Sequence, residues 1–367
     1  MKHKPKLLYV ASTQSHLENF HKPYIKALIK KYEVLTMATG ESVDLPVVFD
    51  KHFFSLKNLR SILHIRKILR RERFDAIILH TTLAAFLVRA AMIGMRHRPY
   101  VMNVVHGYLF GETLQGLKDR ILLFCERLMR RRTDDIAVMN REDERIATKH
   151  RLCRGCVYFI KGMGVSVEGD AGVPDPLLRA KYGDEKDFVC FFIGELSGRK
   201  NQVFLIRAVK RLREEGLPIR LLLAGEGSER ENLETTVKEL GLERSVQLLG
   251  SVSPVTPYLL ISDLYVSASV SEGLPFNIME AMWCGLPIVA SDVKGQSDLL
   301  EHYPQTLYPL NDEDAFCDAV RRAYCAQTRG AGSQRYPTLE EYRLSAVFEA
   351  NMKIFSSAIP KKESNER

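Results

Sequence analysis

The stretch Ser269-Val270-Ser271-Glu272-Gly273-Leu274-Pro275-Phe276-Asn277-Ile278-Met279-Glu280-Ala281-Met282-Trp283-Cys284-Gly285-Leu286-Pro287 follows an apolar run at 264–268 and decides the fold. The run reads as a buried strand and residues 275–284 as a helix, so the residues between them form a strand-to-helix turn. Gly273 permits close backbone approach, Pro275 suits the first helical position, and the free amides of a helix start can hold phosphate. Glu280 then lies about five residues into the helix, ~7.5 Å along its axis. The carboxylates of Glu272 and Glu280 bracket those amides and can serve different parts of one extended ligand. A bare pair of glutamates at this spacing is common by chance; the surroundings make it specific. The bland alternatives are a helix-dipole partner for Glu272 and a solvated helix glutamate for Glu280.

Working outward, the same strand-then-helix rhythm fills the chain. Strands are expected at 6–13, 33–39, 75–81, 100–106, 136–140 and 157–161, then at 188–194, 219–224, 246–249, 264–268 and 287–290. Helices are expected near 201–215, 228–240, 256–262, 275–284 and 312–326 in the second set. Such alternation implies parallel strands covered on both faces, hence an α/β architecture of two Rossmann-like sheets. Gly169-Asp170-Ala171-Gly172-Val173-Pro174-Asp175-Pro176 breaks helix and strand alike and marks the linker. The expected division is 1–168 and 169–345, with 346–367 a helix that returns to the first domain and a tail from Lys361. Ligands of open parallel sheets bind at the carboxyl ends of strands, so the two sheets are expected to face across one cleft.

A chain of 367 residues with 46% hydrophobic content suffices for two cores. No apolar run reaches membrane-spanning length and the opening lacks a secretion signal, so a cytoplasmic protein, peripheral on the membrane at most, is expected. Seven scattered cysteines fit a reducing compartment; Cys153 and Cys156 lack further partners for zinc and read as a turn before a strand. Residues 1–170 carry 30 Lys and Arg against 17 Asp and Glu, and the remainder 23 against 28. A basic first half suits an anionic lipid surface or an acidic acceptor. Nucleic acid is not expected, because no finger or aromatic RNA-binding strand accompanies the charge. The helices near 60–73 and 117–132 combine Arg and Lys with apolar residues and are the candidate membrane contacts, unless those apolar positions are core.

The second half resembles the retaining glycosyltransferases of the GT-B fold, specifically family 4. The resemblance rests on Ile193-Gly194-Glu195-Leu196 with Lys200-Asn201, Ala224-Gly225-Glu226-Gly227, Leu249-Gly250, the Ser-x-x-Glu-Gly-Leu-Pro block and Gly295. It implies that residues 1–168 bind the acceptor and 169–345 the nucleotide sugar, that Glu272 faces the donor sugar's hydroxyls, that Glu280 binds the ribose, and that amides at Gly273 and Leu274 meet the diphosphate. Where the family has Gly-Arg-Leu with a later Glu-Lys, this chain has Glu195 and Arg199, as if the charges were exchanged. Arg199 and Lys200 are then the cations for the leaving diphosphate. The alternative is a local Glu195–Arg199 ion pair.

In the first half a buried strand delivers His106-Gly107-Tyr108-Leu109-Phe110-Gly111 at its carboxyl end. In the resembling family a histidine at this place lies over the donor sugar; otherwise it simply caps a strand. Ser15-His16, Phe20 and Pro23-Tyr24 resemble the exopolysaccharide and capsule branch, and His16 becomes an acceptor-side candidate or a solvated loop residue. Asp312-Glu313-Asp314 reads as a helix cap rather than a metal site. The resemblance thus implies transfer of a hexose or N-acetylhexosamine from a nucleotide sugar, with UDP the expected nucleotide. The acceptor is lipid-linked or saccharide, and neither cofactor nor metal is needed. A nucleotide-sugar 2-epimerase of the same fold and a non-catalytic nucleotide-sugar-binding subunit are the rivals.

Overall fold

The computed structural model describes residues 4–50, 55–167, 169, 171–184, 186–329 and 333–357. They form two compact units, one running to Gly164 and resuming at Leu344, the other Val165–Arg343.

The first unit holds β1 (Lys6–Thr13), β2 (Glu33–Thr39), β3 (Leu45–Pro46), β4 (Ala76–His80), β5 (Tyr100–Val105), β6 (Asp135–Val138) and β7 (Val157–Phe159). The second holds β8 (Phe188–Ile193), β9 (Ile219–Ala224), β10 (Val246–Gly250), β11 (Leu264–Ser267), β12 (Ile288–Ser291) and β13 (Leu307–Tyr308). Strand order is β3-β2-β1-β4-β5-β6-β7 in one sheet and β10-β9-β8-β11-β12-β13 in the other, with the strands paired in parallel. Central strands such as β4 are buried along their whole length, which is why they read as continuous apolar runs. The edge strands β3 and β13 were not expected from sequence, because two residues carry no periodicity. Strand order reverses between β1 and β4 and again between β8 and β11, and open α/β sheets bind ligands at such switch points.

Helix Leu344–Ser357 belongs to the first unit. Its Asn351 amide donates to the Gly162 carbonyl at 2.8 Å and to the Tyr24 hydroxyl at 3.0 Å, while that hydroxyl donates to the Met163 carbonyl at 3.0 Å. Gly164 lets the helix approach: its φ is +84° and a Cβ there would lie 2.5 Å from the Leu344 Cα. The expected tail from Lys361 lies outside the described residues.

Helices Leu56–Glu72 and Leu117–Met129 pack on either side of helix Thr82–Ala91. Helix 117–129 buries Leu123, Glu126 and Met129 and turns Leu117, Ile121, Phe124 and Leu128 to solvent, with Phe124 65% exposed. Their spacing of 4, 3 and 4 residues makes one stripe opposite the buried face. Likewise helix 56–72 buries Asn58, Ser61, Ile65, Ile68 and Leu69 while Leu56, Leu59 and Leu63 point outward. Beneath these helices the fully buried Arg89 forks onto Glu126 with two bonds of 2.9 Å, and also donates to the Ala85 carbonyl and Thr133.

Candidate active site

At the β8/β11 switch point of the second unit, the turn after β8 carries Arg199 and Lys200 and the turn after β11 carries Glu272. Lys200 Nζ lies 2.6 Å from Glu272 Oε1 and Arg199 Nη1 lies 2.7 Å from Oε2, so one carboxylate is clasped by both cations. The two turns are also joined through backbone: Val270 N donates to Arg199 O at 2.8 Å, and Arg199 Nη1 donates to Ser271 O at 2.8 Å. Lys200 and Glu272 are buried, whereas Arg199 keeps 41% of its side chain exposed. Burial raises the Glu272 carboxyl, but Lys200 and then Arg199 outweigh it and hold it below the usual carboxylate range. Of the two sequence expectations for Arg199, a local pair with Glu195 or a place at the site, the geometry brings it to Glu272. Glu195 is exposed, and its carbonyl accepts from Gln202 at 2.8 Å.

Glycines shape these turns by steric necessity. Gly225 has φ +133°, and a Cβ there would fall 1.9 Å from the Gly194 carbonyl oxygen, so the turns after β8 and β9 touch backbone to backbone. Gly295 (φ +78°) sits where a Cβ would be 2.7 Å from the Gly273 carbonyl oxygen, seating the loop after β12 on Glu272 and Gly273. Glu272 N donates to Lys294 O at 3.3 Å across this contact.

Gly273 and the buried Leu274 lead into helix Phe276–Trp283, which begins one residue later than expected because Pro275 is extended (ψ 95°) and serves as the cap. Asn277 locks the helix start to β8, donating to Ile193 O at 2.8 Å and to the buried Tyr265 hydroxyl at 2.7 Å. Glu280 lies on this helix, half-buried. Among the described residues no cation or side-chain donor reaches it, and burial pushes its carboxyl above the usual range. Sequence reasoning missed the buried polar support of the Glu272 turn. Gln296 Nε2 donates to Ser267 Oγ at 2.7 Å, and Ser291 Oγ donates to Ser269 O at 2.6 Å. The available signal was that Ser267 and Ser291 are the polar final residues of two neighbouring apolar strands.

The β1/β4 switch point of the first unit gathers four histidines. His80 ends β4 and His106 follows β5; His80 Nδ1 and His106 Nε2 are 3.0 Å apart. His16 and His21 come from the turn after β1, and Tyr9 of β1 shares a 3.0 Å hydrogen bond with His21 Nδ1. Ring centroids are 4.0 Å apart for His21–His80, 4.9 Å for His16–His21 and 5.0 Å for His16–His106. Burial lowers His106 to about 3 and His16 to about 4, and drives His21 and His80 well below the ordinary imidazole value, so all four are neutral at pH 7. His16 and His106 were expected from sequence; His21 and His80 were not.

Two other candidates resolve into local structure. Asp312 Oδ1 accepts from Ala315 N at 2.9 Å and caps helix Glu313–Thr328. Cys153 is buried in the turn before β7, Cys156 is exposed, and both are free thiols.

Comparison with known proteins completes the assignment. Residues 175–329 match the family model "Glycosyl transferases group 1", and residues 35–154 match "Glycosyl transferase 4-like domain". The chain is 29% identical over 334 residues to EpsD of Bacillus subtilis (strain 168), covering 87% of each chain. It is 26% identical to the UDP-Gal:alpha-D-GlcNAc-diphosphoundecaprenol alpha-1,3-galactosyltransferase of Escherichia coli, over 73% of this chain and 70% of that one. In fold it is similar to Anabaena HepE, solved in complex with UDP and glucose, with a TM-score of 0.74, 18% identity and coverage of 96% of this chain and all of that one. Two parallel-sheet units, each half matched by a glycosyltransferase model, place the chain in the GT-B glycosyltransferases of family 4 type.

Proposed function

We propose that the chain is a retaining hexosyltransferase that moves a hexose or N-acetylhexosamine from a nucleoside-diphosphate sugar, with UDP as the nucleotide, to a lipid-linked or saccharide acceptor in surface polysaccharide assembly. The observation that carries this reading is the clasp of Arg199 and Lys200 on Glu272 at a strand switch point. Such a clasp holds two cations in place before any ligand arrives, and preorganised charge costs no rearrangement when a diphosphate departs. The Escherichia coli relative named for UDP-galactose and a diphosphoundecaprenol acceptor supports the substrate class. The bond between the anomeric carbon and the diphosphate oxygen breaks as the acceptor oxygen bonds to that carbon on the same face. The departing diphosphate oxygen takes the acceptor's proton. Glu272 and His106 orient the sugar, and amides at Gly273 and Leu274 meet the diphosphate. His16 belongs to the acceptor side. With two cations supplied by the protein, the transfer requires no metal. Incubating the chain with UDP-sugars and undecaprenyl-diphosphate-linked acceptors, and reading the anomeric configuration of the product by NMR, tests the proposal; an inverted product or no transfer from any donor rejects it.

Glu280 is assigned to the ribose hydroxyls, a contact made equally in ground and transition states. Glu280→Gln should therefore weaken donor binding about tenfold while leaving turnover at saturating donor within about threefold. Calorimetry with UDP decides this, and unchanged binding removes Glu280 from the site.

The acceptor's lipid matches the first unit's surface. The stripes Leu117-Ile121-Phe124-Leu128 and Leu56-Leu59-Leu63 are flanked by Arg120, Arg127, Arg60 and Lys67, an apolar strip with a basic margin suited to an anionic bilayer. Among the described residues no helix is long and apolar enough to cross a membrane. We place the enzyme peripherally on the cytoplasmic face. It should co-sediment with phosphatidylglycerol-containing vesicles at low salt, and Leu117→Asp with Phe124→Asp should reduce the bound fraction at least tenfold. Equal sedimentation of the double variant would exclude this surface.

A further inference from the structure

We propose that His80 is a positioning residue that fixes His106 as its Nδ1–H tautomer, so that His106 meets the donor sugar as a hydrogen-bond donor and has no lone pair left to act as a base. The proposal rests on the reading above that His106 orients the sugar.

Sheet register brings the rings together. His80 of β4 lies opposite Val104 of β5, and Tyr9 of β1 lies opposite Ile78 of β4. Side chains two apart along a strand share a face, so Tyr9, His80 and His106, which directly follows β5, come to one side of the sheet. Tyr9 stacks on the His80 ring with centroids 4.8 Å apart and 29° between planes. His21, carried by the π-helical turn Leu17–His21, packs on the same ring at 4.0 Å. His80 is thereby held in one orientation, and its Nδ1 meets His106 Nε2 at 3.0 Å.

Hydrogen-bond accounting gives that bond its direction. Both imidazoles are neutral at pH 7, so each ring carries one N–H and one lone pair. His80 is fully buried, and among the described residues its Nε2 has no partner. A buried N–H without an acceptor is rarer in native proteins than an unused lone pair, so Nε2 carries the lone pair and Nδ1 the proton. His80 Nδ1–H then donates to His106 Nε2 and occupies its lone pair, which leaves the proton of His106 on Nδ1. His106 is only half-buried, so this Nδ1–H is the group that a sugar hydroxyl oxygen can meet.

Long-range proton–nitrogen NMR of the full chain, isotope-labelled at histidine and recorded without substrate at pH 7, identifies the tautomer, with His106→Gln assigning the signals. The expected result is the Nδ1–H pattern for His106. His80→Leu fills the space but offers no proton; it should abolish that single pattern and lower turnover at saturating donor about tenfold or more, with UDP affinity by calorimetry within about twofold. His80→Asn places an amide N–H near the same point and should recover most of the loss. An Nε2–H pattern in the parent overturns the proposal, as does a His80→Leu variant that keeps both pattern and turnover, or a His80→Asn variant as slow as His80→Leu. Should His80→Leu not fold, as judged by circular dichroism, the parent spectrum decides. Because the spectrum needs no transfer, the two readings fail separately. An Nε2–H parent that transfers sugar sinks the tautomer alone, whereas an Nδ1–H parent that transfers from no donor supports the tautomer and sinks the transferase reading.

Discussion

Lys200→Ala is expected to lower turnover at saturating donor by about 10²–10³-fold, equivalent to ~3–4 kcal/mol of transition-state stabilisation. Lys200 is buried and its ammonium is held 2.6 Å from Glu272, so its charge acts in a medium where water screens little. Arg199 lies 2.7 Å from the same carboxylate, but its side chain is 41% exposed, and Arg199→Ala should cost nearer tenfold. Stability provides a second readout. Glu272 titrates below the ordinary carboxylate range in the folded chain, so its pairing stabilises the fold above the unfolded-state pKa and is lost as pH falls through the depressed one. In Lys200→Ala burial is opposed only by Arg199 and a hydrogen bond from Ser269, and that loss should begin at higher pH. Thermal midpoints from pH 7 to pH 4 measure this beside turnover at pH 7. Turnover within about threefold of the parent, with the midpoint changed, would reduce Lys200 to a structural partner of Glu272.

Glu126→Ala is expected to destabilise the first unit by ~3–5 kcal/mol, the cost of leaving a buried charge without its partner. Arg89 is fully buried and makes two bonds of 2.9 Å to that carboxylate. The Ala85 carbonyl and the Thr133 hydroxyl remain, but neither carries an opposing charge. For a unit of this size the loss lowers the thermal midpoint by roughly 10 °C. The double variant Arg89→Met with Glu126→Leu should recover most of it, because both desolvated charges are gone. Urea unfolding of the parent and the two variants separates the outcomes; a single variant as stable as the parent would show that water reaches Arg89.

Much of the architecture was legible without coordinates. Continuous apolar runs such as Phe188–Ile193 and Ile219–Ala224 read as strands covered on both faces, because burial of a parallel sheet requires apolar residues at every position. The turn from Ser269 to Pro275 was equally plain, since its glycine, proline and glutamate act over a few residues of backbone. Helix Leu117–Met129 was ambiguous: its apolar residues fell on both sides, and only packing showed that Leu123 and Met129 face the core while Phe124 and Leu128 face solvent.

The sequence by itself therefore determined two parallel α/β sheets and a helix start carrying Glu272 and Glu280, because these depend on local periodicity and turn chemistry. Tertiary structure alone decided that Arg199 turns to Glu272, 73 residues away, that Arg89 meets Glu126, and that His16, His21, His80 and His106 share one pocket. Each of those contacts arises where strand order reverses or where a helix lies across its neighbour. Such long-range pairings leave no period in the chain. His21 was hidden for a local reason as well, because a spacing of five matches neither helix nor strand until the backbone takes a π turn.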